Sequence, residues 1–120
     1  MPAIKLDAVT IDCPDAKALA TFYHQLTGMR IVEVEDGYEP VVAGKPIDLM
    51  FQEIDTYQPP TWPTQERGQQ IHLDCTCRDI EAGAAFAESI GARRALEQPG
   101  ERWRVMLDPA GHPFCLSHYP

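Results

Sequence analysis

The sequence of residues 70–79 is Gln-Ile-His-Leu-Asp-Cys-Thr-Cys-Arg-Asp, in which apolar and polar side chains alternate. A period of two is typical of a β-strand that covers a hydrophobic core with one face and meets more polar surroundings with the other. The apolar row consists of Ile71, Leu73, Cys75 and Cys77, and the polar row of His72, Asp74 and Thr76. We therefore predict a strand with one buried face.

The same pattern occurs 64 positions earlier in residues 7–15, Asp-Ala-Val-Thr-Ile-Asp-Cys-Pro-Asp. Each copy ends at an aspartate that can cap a helix, and a glycine stops each helix. The apolar helical stripes are Leu19, Phe22, Tyr23 and Leu26 after Asp15, and Ile80, Ala84, Ala87 and Ile90 after Asp79. Phe22 and Phe86 each lie seven residues after the capping aspartate, and we expect both in the core.

Three shorter strands are predicted after each helix, near residues 30–35, 38–43 and 47–53 and near residues 93–98, 102–107 and 113–118. The last pair shares a Gly-x-Pro turn, in residues 43–49 and 110–116. We predict an α+β fold, in which two paired βαβββ modules form a curved mixed sheet around a cavity with the helices outside. The chain would be a single domain, with module 1 at about 1–54, a loop at about 55–69 and module 2 at about 70–120.

Composition limits the function. The chain has 120 residues and a formal net charge of −8, a field that repels phosphate backbones and anionic lipid. We therefore predict no nucleic-acid partner and no membrane partner. With no signal peptide and no apolar run of spanning length, we expect a cytoplasmic protein. The four cysteines indicate small buried residues, and a Cys-x-Cys metal site at Cys75 and Cys77 is the alternative.

A proline-rich segment joins the two copies. Residues 55–68 contain three prolines and no periodicity, which predicts a loop longer than usual, and such loops are often functional. Its large side chains, Tyr57 and Trp62, need cover. They would either fold over the mouth of a cavity or pack on the surface of the other module.

The sequence resembles the vicinal oxygen chelate superfamily, the glyoxalase and bleomycin-resistance proteins. The matching pieces are Leu-Asp-x-Val-x-Ile-x-Cys-Pro-Asp at 6–15, Ala-x-Phe-Tyr-x-x-Leu-x-Gly at 20–28, His-Leu-Asp at 72–74 and Asp-Pro-Ala-Gly-His-Pro-Phe at 108–114. Pro-Pro-Thr-Trp-Pro at 59–63 resembles the glyoxalase-like branch. The resemblance implies paired βαβββ modules and a homodimer. It leaves the activity open, because the superfamily includes isomerases, lyases, dioxygenases and pure binders.

The resemblance also implies where a metal would bind. The family's ligand positions fall on Ala8, Asp48, His72 and Cys115. Ala8 has no donor atom, so we expect no metal cofactor. The alternative is one divalent ion, such as zinc, held by Asp48, His72 and Cys115 with a fourth position open.

The leading hypothesis is a protein that binds a small organic molecule, neutral or cationic, on the inner faces of the sheets without a metal. The predicted ligand-binding residues are Thr10, Asp48, Met50, Trp62, His72, Asp74, Trp103, Cys115 and Ser117. The alternative is a lyase, isomerase or dioxygenase that uses either the metal or acid–base catalysis by His72 with Asp74 or Asp48. A third possibility is a subunit or regulatory domain without a ligand of its own.

Overall fold

A computed structural model of the chain describes residues 3, 6–32, 41–43 and 47–118. The chain divides into two compact units, Met1–Tyr57 and Gln58–Pro120. The first contains β1 (Ala8–Cys13), α1 (Ala16–Thr27), β2 (Arg30–Val32), β3 (Val41–Ala43) and β4 (Asp48–Glu53). The second contains β5 (Leu73–Cys77), α2 (Ile80–Ser89), β6 (Arg93–Arg94), β7 (Trp103–Leu107) and β8 (Pro113–His118). The predicted α+β class with a repeated βαβββ order is confirmed.

The first unit is a four-stranded mixed sheet with α1 on one face. The strand order is β1-β4-β3-β2, with β1 parallel to β4 and the other pairs antiparallel. Asp15 caps α1, because its carboxylate accepts a hydrogen bond of 3.1 Å from the Ala18 N–H. Tyr23 on α1 stacks against Phe51 on β4 with ring centroids 6.0 Å apart. This stacking ties the helix to the buried row of the sheet.

The second unit repeats this arrangement. The strand order is β5-β8-β7-β6, with β5 parallel to β8. Asp79 caps α2 by accepting a hydrogen bond of 3.0 Å from the Ala82 N–H. Ala84 and Ala87 on α2 are fully buried, and so are Phe114 on β8 and Met106 on β7. Small helix residues against large sheet residues let α2 lie close to the sheet.

Ion pairs between α2 and the sheet run along the rim of this core. The Glu81 carboxylate accepts hydrogen bonds from Arg94 at 2.7 Å and from Arg104 at 2.6 Å. Arg94 also donates to Glu88 at 3.0 Å. Arg104 is therefore directed to the helix side of the sheet. Because these groups are partly exposed, we assign the pairs a positioning role and little net stability.

The expectation that Phe86 lies in the core is wrong, since its exposed fraction is 49%, against 2% for Phe22. In α1 the buried arc is wide enough to include both Phe22 and Tyr23. In α2 only Ala84 and Ala87 are fully buried, and position 86 lies 200° around the helix from position 84. The helical period predicts the direction of the buried face but not its width.

Two strand predictions are also corrected. Ile71 precedes β5 and is 70% exposed, so it does not join the apolar row. Strand β6 has two residues. One further backbone hydrogen bond follows it, from the Ala95 N–H to the Val105 carbonyl at 3.0 Å, and beyond Ala95 the bonds are made by the side chain of Gln98. Its amide donates to the carbonyls of Ala95 and Val105 at 2.9 and 3.0 Å, and its carbonyl accepts from the Val105 N–H at 2.8 Å. The predicted residues 33–40 and the Gly-x-Pro turn at 44–46 lie outside the described residues.

Candidate functional site

Polar side chains collect on the face of the second sheet that lies opposite α2. Phe114 and Leu116 of β8 are buried on the helix side, so the alternating residues of β8 point the other way. The strand pairing brings them beside partners on both neighbouring strands. The members of this face are Asp74, Thr76, Trp103, Val105, Cys115 and Ser117.

Two of these residues, Asp74 and Cys115, form a cluster with His72, which directly precedes β5, and we call it the His72 cluster. The His72 Nε2 atom lies 3.3 Å from an oxygen of the Asp74 carboxylate, and Asp74 pairs with Cys115 across the parallel strands. One donor atom from each residue lies within 4.8 Å of the other two. The two polar side chains remain accessible, with exposed fractions of 39% for His72 and 70% for Asp74.

The electrostatic environment keeps the thiol of this cluster protonated. Burial raises the pKa of Cys115, and the negative charge of Asp74 raises it further. On the helix side of the neighbouring strand β5, burial together with Asp74 and the nearby thiols raises the pKa of Cys75 to about 11. The cluster thus offers an imidazole, a carboxylate and a neutral thiol, a set suited to hydrogen bonding or proton transfer.

The predicted residues of the first unit share the equivalent face of their own sheet, opposite α1. Ala8 pairs with Asp48 and Thr10 pairs with Met50 across β1 and β4. Met50 is 41% exposed. Asp48 therefore belongs to the first unit, whereas the carboxylate found beside His72 and Cys115 is that of Asp74.

The family's ligand positions indicate Asp48 as the metal-binding carboxylate, and the sequence predicts a ligand-binding and an acid–base role for Asp74, not a metal-binding one. A signal for its position beside His72 and Cys115 was present in the sequence. Residues two apart on a strand point to the same side, and the parallel strand pairing then adds Cys115. The ligand-binding role predicted for all of these residues stays a prediction.

The two tryptophans lie in different places. Trp103 is on the face opposite α2 and is 37% exposed, with its ring against Gly100. Trp62 lines a cavity of about 440 Å³ in the second unit, together with Leu107, Pro109 and other residues. None of the residues that line this cavity belongs to the His72 cluster. Trp62 is thus packed by the end of the sheet of its own unit, an arrangement not anticipated from the sequence.

Comparison with known proteins identifies the class. The sequence model of the glyoxalase-like domain family matches residues 8–117. The match covers both βαβββ modules and nearly the whole chain. The protein therefore belongs to the glyoxalase-like domain family. No curated protein is significantly similar to it in sequence.

Solved structures with the same fold include a glyoxalase/bleomycin resistance protein/dioxygenase family enzyme from Burkholderia phytofirmans, with a TM-score of 0.75 and 16% identity over 96% of this chain and 98% of that chain. The antibiotic binding protein TnmS3 from a Streptomyces species has a TM-score of 0.61 and 17% identity over 100% and 99% of the two chains. A lactoylglutathione lyase from Agrobacterium tumefaciens has a TM-score of 0.62 and 13% identity over 98% and 96%. At such identities the likeness establishes the fold alone.

Among the described residues, neither helix is long and apolar enough to cross a membrane.

Proposed function

We propose that the protein binds a small organic molecule on the face of the second sheet opposite α2, without a metal ion. The observation that carries the proposal is the His72 cluster, in which His72 and Asp74 lie 3.3 Å apart and both remain accessible. Ligand sites in proteins combine a few convergent polar groups with apolar and aromatic walls. Trp103 and Ser117, which pair across β7 and β8, supply an aromatic ring and a hydroxyl on the same face.

The charge of the site favours a neutral or cationic ligand. The Asp74 carboxylate is 70% exposed, and the chain has a formal net charge of −8. A cation approaching this face gains from both, while an anion is repelled. The ligand-binding roles of Thr10, Asp48 and Met50, on the face of the first sheet opposite α1, stay predictions.

Solved neighbours guide the choice of first ligands. TnmS3 is an antibiotic binding protein, and the Burkholderia phytofirmans neighbour is a glyoxalase/bleomycin resistance protein/dioxygenase family enzyme. We therefore propose bleomycin, with a panel of cationic and neutral aromatic antibiotics, as probes for calorimetric titration. Binding of at least one panel member with micromolar affinity is the expected result.

Variants locate the site. His72→Ala and Asp74→Asn should each weaken binding of that ligand by about tenfold, because each removes a hydrogen bond to a polar group of the ligand. Asp55→Asn makes the same charge change at an exposed residue of the first unit and should leave the affinity unchanged. Equal affinities of the three variants and the parent protein would show that the ligand does not bind on this face.

A second candidate function, a metal-dependent or acid–base enzyme, is favoured by the donor geometry. The donor atoms of His72, Asp74 and Cys115 lie within 4.8 Å of one another, close enough to converge on one ion after small side-chain rotations. The set fits zinc better than magnesium or calcium, which prefer oxygen ligands. Three protein ligands leave a fourth position, where zinc would polarise a substrate carbonyl. Without the ion, His72 and Asp74 would act as a proton-transfer pair.

Cobalt provides the test of this second function. Co²⁺ bound by a thiolate gives an intense sulfur-to-metal absorption in the near ultraviolet. We expect the band in the parent protein and its loss in Cys115→Ser, while Cys77→Ser, which changes a thiol on the helix side of β5, retains it. A band that survives Cys115→Ser would place the ion elsewhere. Turnover that is unaffected by His72→Ala would exclude the acid–base version.

We also propose a homodimer in the cytoplasm, from the analogy with the family. Light scattering on the purified protein should give a mass near twice 13.4 kDa. A mass near 13.4 kDa that does not change with concentration would contradict the dimer.

A further inference from the structure

The second unit contains a cavity that the proposed function does not use. It has a volume of about 440 Å³ and lies between the proline-rich loop (residues 58–68) and the end of the sheet formed by β6, β7 and the β7–β8 turn. We call it the loop cavity. Its walls include Pro59, Pro60, Trp62, Arg93, Leu107 and Pro109. A cavity of this size accommodates a molecule built on one or two rings.

The loop wall of the cavity is shaped by the loop's own hydrogen bonds. The Thr61 N–H donates to the Arg67 carbonyl at 2.8 Å, and the Arg67 N–H donates to the Thr61 hydroxyl at 3.0 Å. The Arg67 side chain reaches back to the Pro59 carbonyl at 3.0 Å. These bonds close the loop on itself, so a ligand would meet a wall that is already ordered.

The opposite wall is equally defined. Asp108 is buried, and its carboxylate accepts hydrogen bonds from the N–H groups of Ala110 and His112 at 2.9 and 3.0 Å. These bonds hold the β7–β8 turn, where Gly111 has a φ of 90°. A β-carbon on Gly111 would lie 2.8 Å from Pro59, so the loop and the turn are in close contact beside the cavity.

Among the described residues that line the cavity, Arg93 alone is charged. Its neighbour Arg94 is occupied by Glu81 and Glu88, at 2.7 and 3.0 Å. Arg93, in contrast, is exposed and makes no ion pair with any described residue. It pairs with Leu107 in the strand register, and both residues line the cavity. The cavity thus places an unpaired guanidinium beside an indole ring and proline rings.

We infer that the loop cavity is a second ligand site, one that takes a small planar organic anion, an aromatic carboxylate. The guanidinium of Arg93 matches a carboxylate in a bidentate geometry. The indole ring of Trp62 and the apolar rings of the prolines provide surface against which an aromatic ring can pack. This charge preference is opposite to that of the His72 cluster, so the two sites would take different molecules.

The test uses benzoate, with benzamide as an uncharged molecule of the same shape. In ¹⁵N–¹H spectra, benzoate should shift the signals of the Trp62 indole N–H and the Arg93 side chain, with a dissociation constant of about 1 mM. The Trp103 indole, which lies outside the cavity lining, should not move. Benzamide should bind at least about tenfold more weakly, because it cannot form the charge-assisted pair.

Matched arginine variants complete the test. Arg93→Gln should weaken benzoate binding about tenfold, and Arg93→Lys, which retains the charge but not the fork geometry, by less. Arg78→Gln, the same change at an exposed arginine outside the cavity, should have no effect. Since Arg93 is exposed and forms no ion pair within the part of the chain that the structure describes, these variants should keep the parent melting temperature. Equal binding of benzoate and benzamide, or equal affinities of the Arg93→Gln and Arg78→Gln variants, would overturn the inference.

The proposed function is tested separately. His72→Ala should leave the benzoate shifts unchanged, because His72 does not line the loop cavity. Two results together would contradict this: benzoate shifts the Trp103 indole signal of the parent protein, and His72→Ala abolishes all benzoate shifts. Benzoate would then occupy the face opposite α2, and the loop cavity would not be its site.

Discussion

Gly83 on α2 faces the thiol of Cys77 on β5 so closely that a β-carbon built on the glycine would lie 2.9 Å from the sulfur. The same β-carbon would lie 3.7 Å from Leu116 on β8. Helix and sheet thus approach each other with no room for an added methyl group. The contact explains why a residue that disfavours helices occupies the middle of α2.

Replacing Gly83 should have effects of opposite sign in two backgrounds. In the parent protein, Gly83→Ala should lower the free energy of unfolding by about 1 kcal/mol, since the clash with Cys77 outweighs the gain in helix propensity. In a Cys77→Ala background the clash is gone, and the same change should stabilise by about 1 kcal/mol. Urea denaturation of the four proteins measures the coupling. An identical effect in both backgrounds would show that the two residues do not restrict each other.

The repeated phenylalanines should differ in energetic importance. Phe22→Ala opens a cavity in the first core and should cost about 3–5 kcal/mol. Phe86→Ala removes a side chain that is 49% exposed and should cost less than about 1 kcal/mol. Thermal and urea unfolding of the two variants gives the comparison. A loss at Phe86 as large as that at Phe22 would mean that the Phe86 ring is buried in solution, for instance in a dimer.

Stability should decrease in alkaline solution through Cys75. Its pKa is raised from 9.0 to about 11 in the native protein. Well below pH 9 the thiol is protonated in both states. As the pH rises from 9 to about 11, the unfolded chain loses this proton first, so the free energy of unfolding falls. We expect a loss of up to about 2 kcal/mol, reduced by solvent screening because the side chain is only half-buried.

The control for this pH effect is Cys75→Ala, which removes the thiol and keeps a small apolar residue. The difference in unfolding free energy between the parent protein and this variant should shrink over the same pH range. A difference that does not depend on pH would show that Cys75 has the same pKa in both states.

The Cys115 thiol should respond to the charge of Asp74. Burial and then Asp74 raise the pKa of Cys115, so Asp74→Asn lowers that pKa and increases the thiolate fraction. Alkylation of Cys115 by iodoacetamide in mildly alkaline solution should become about two- to threefold faster, as measured by mass spectrometry.

Cys77 is the internal control in the same experiment. Burial and Asp79, rather than Asp74, raise its pKa. The alkylation rate of Cys77 should therefore not change in Asp74→Asn. An equal increase in the alkylation rate at both cysteines would mean that the substitution exposes the strand, and that the lost charge is not the cause of the faster reaction.

Much of the fold could be predicted because it depends on local chemistry. Asp15 and Asp79 cap their helices through bonds to backbone groups three residues away, and Gly28 adopts the left-handed conformation that ends α1. Strand alternation predicted which side chains of β4 and β8 are buried. The candidate site could be predicted less fully, because the position of Asp74 beside Cys115 depends on which strands pair.

Sequence alone determined the two repeated βαβββ modules, the helix ends and the faces of the main strands, because caps, glycine stops and periodicity act over a few residues. Only the tertiary structure decided that Phe86 is exposed, that the Gln98 side chain bonds to Val105, that Asp74 joins His72 and Cys115, and that Arg93 and Trp62 line one cavity. Each of these features depends on how segments that are distant in the chain pack together. The neighbours that folding brings together set the width of a buried helix face and the partner of a charged group.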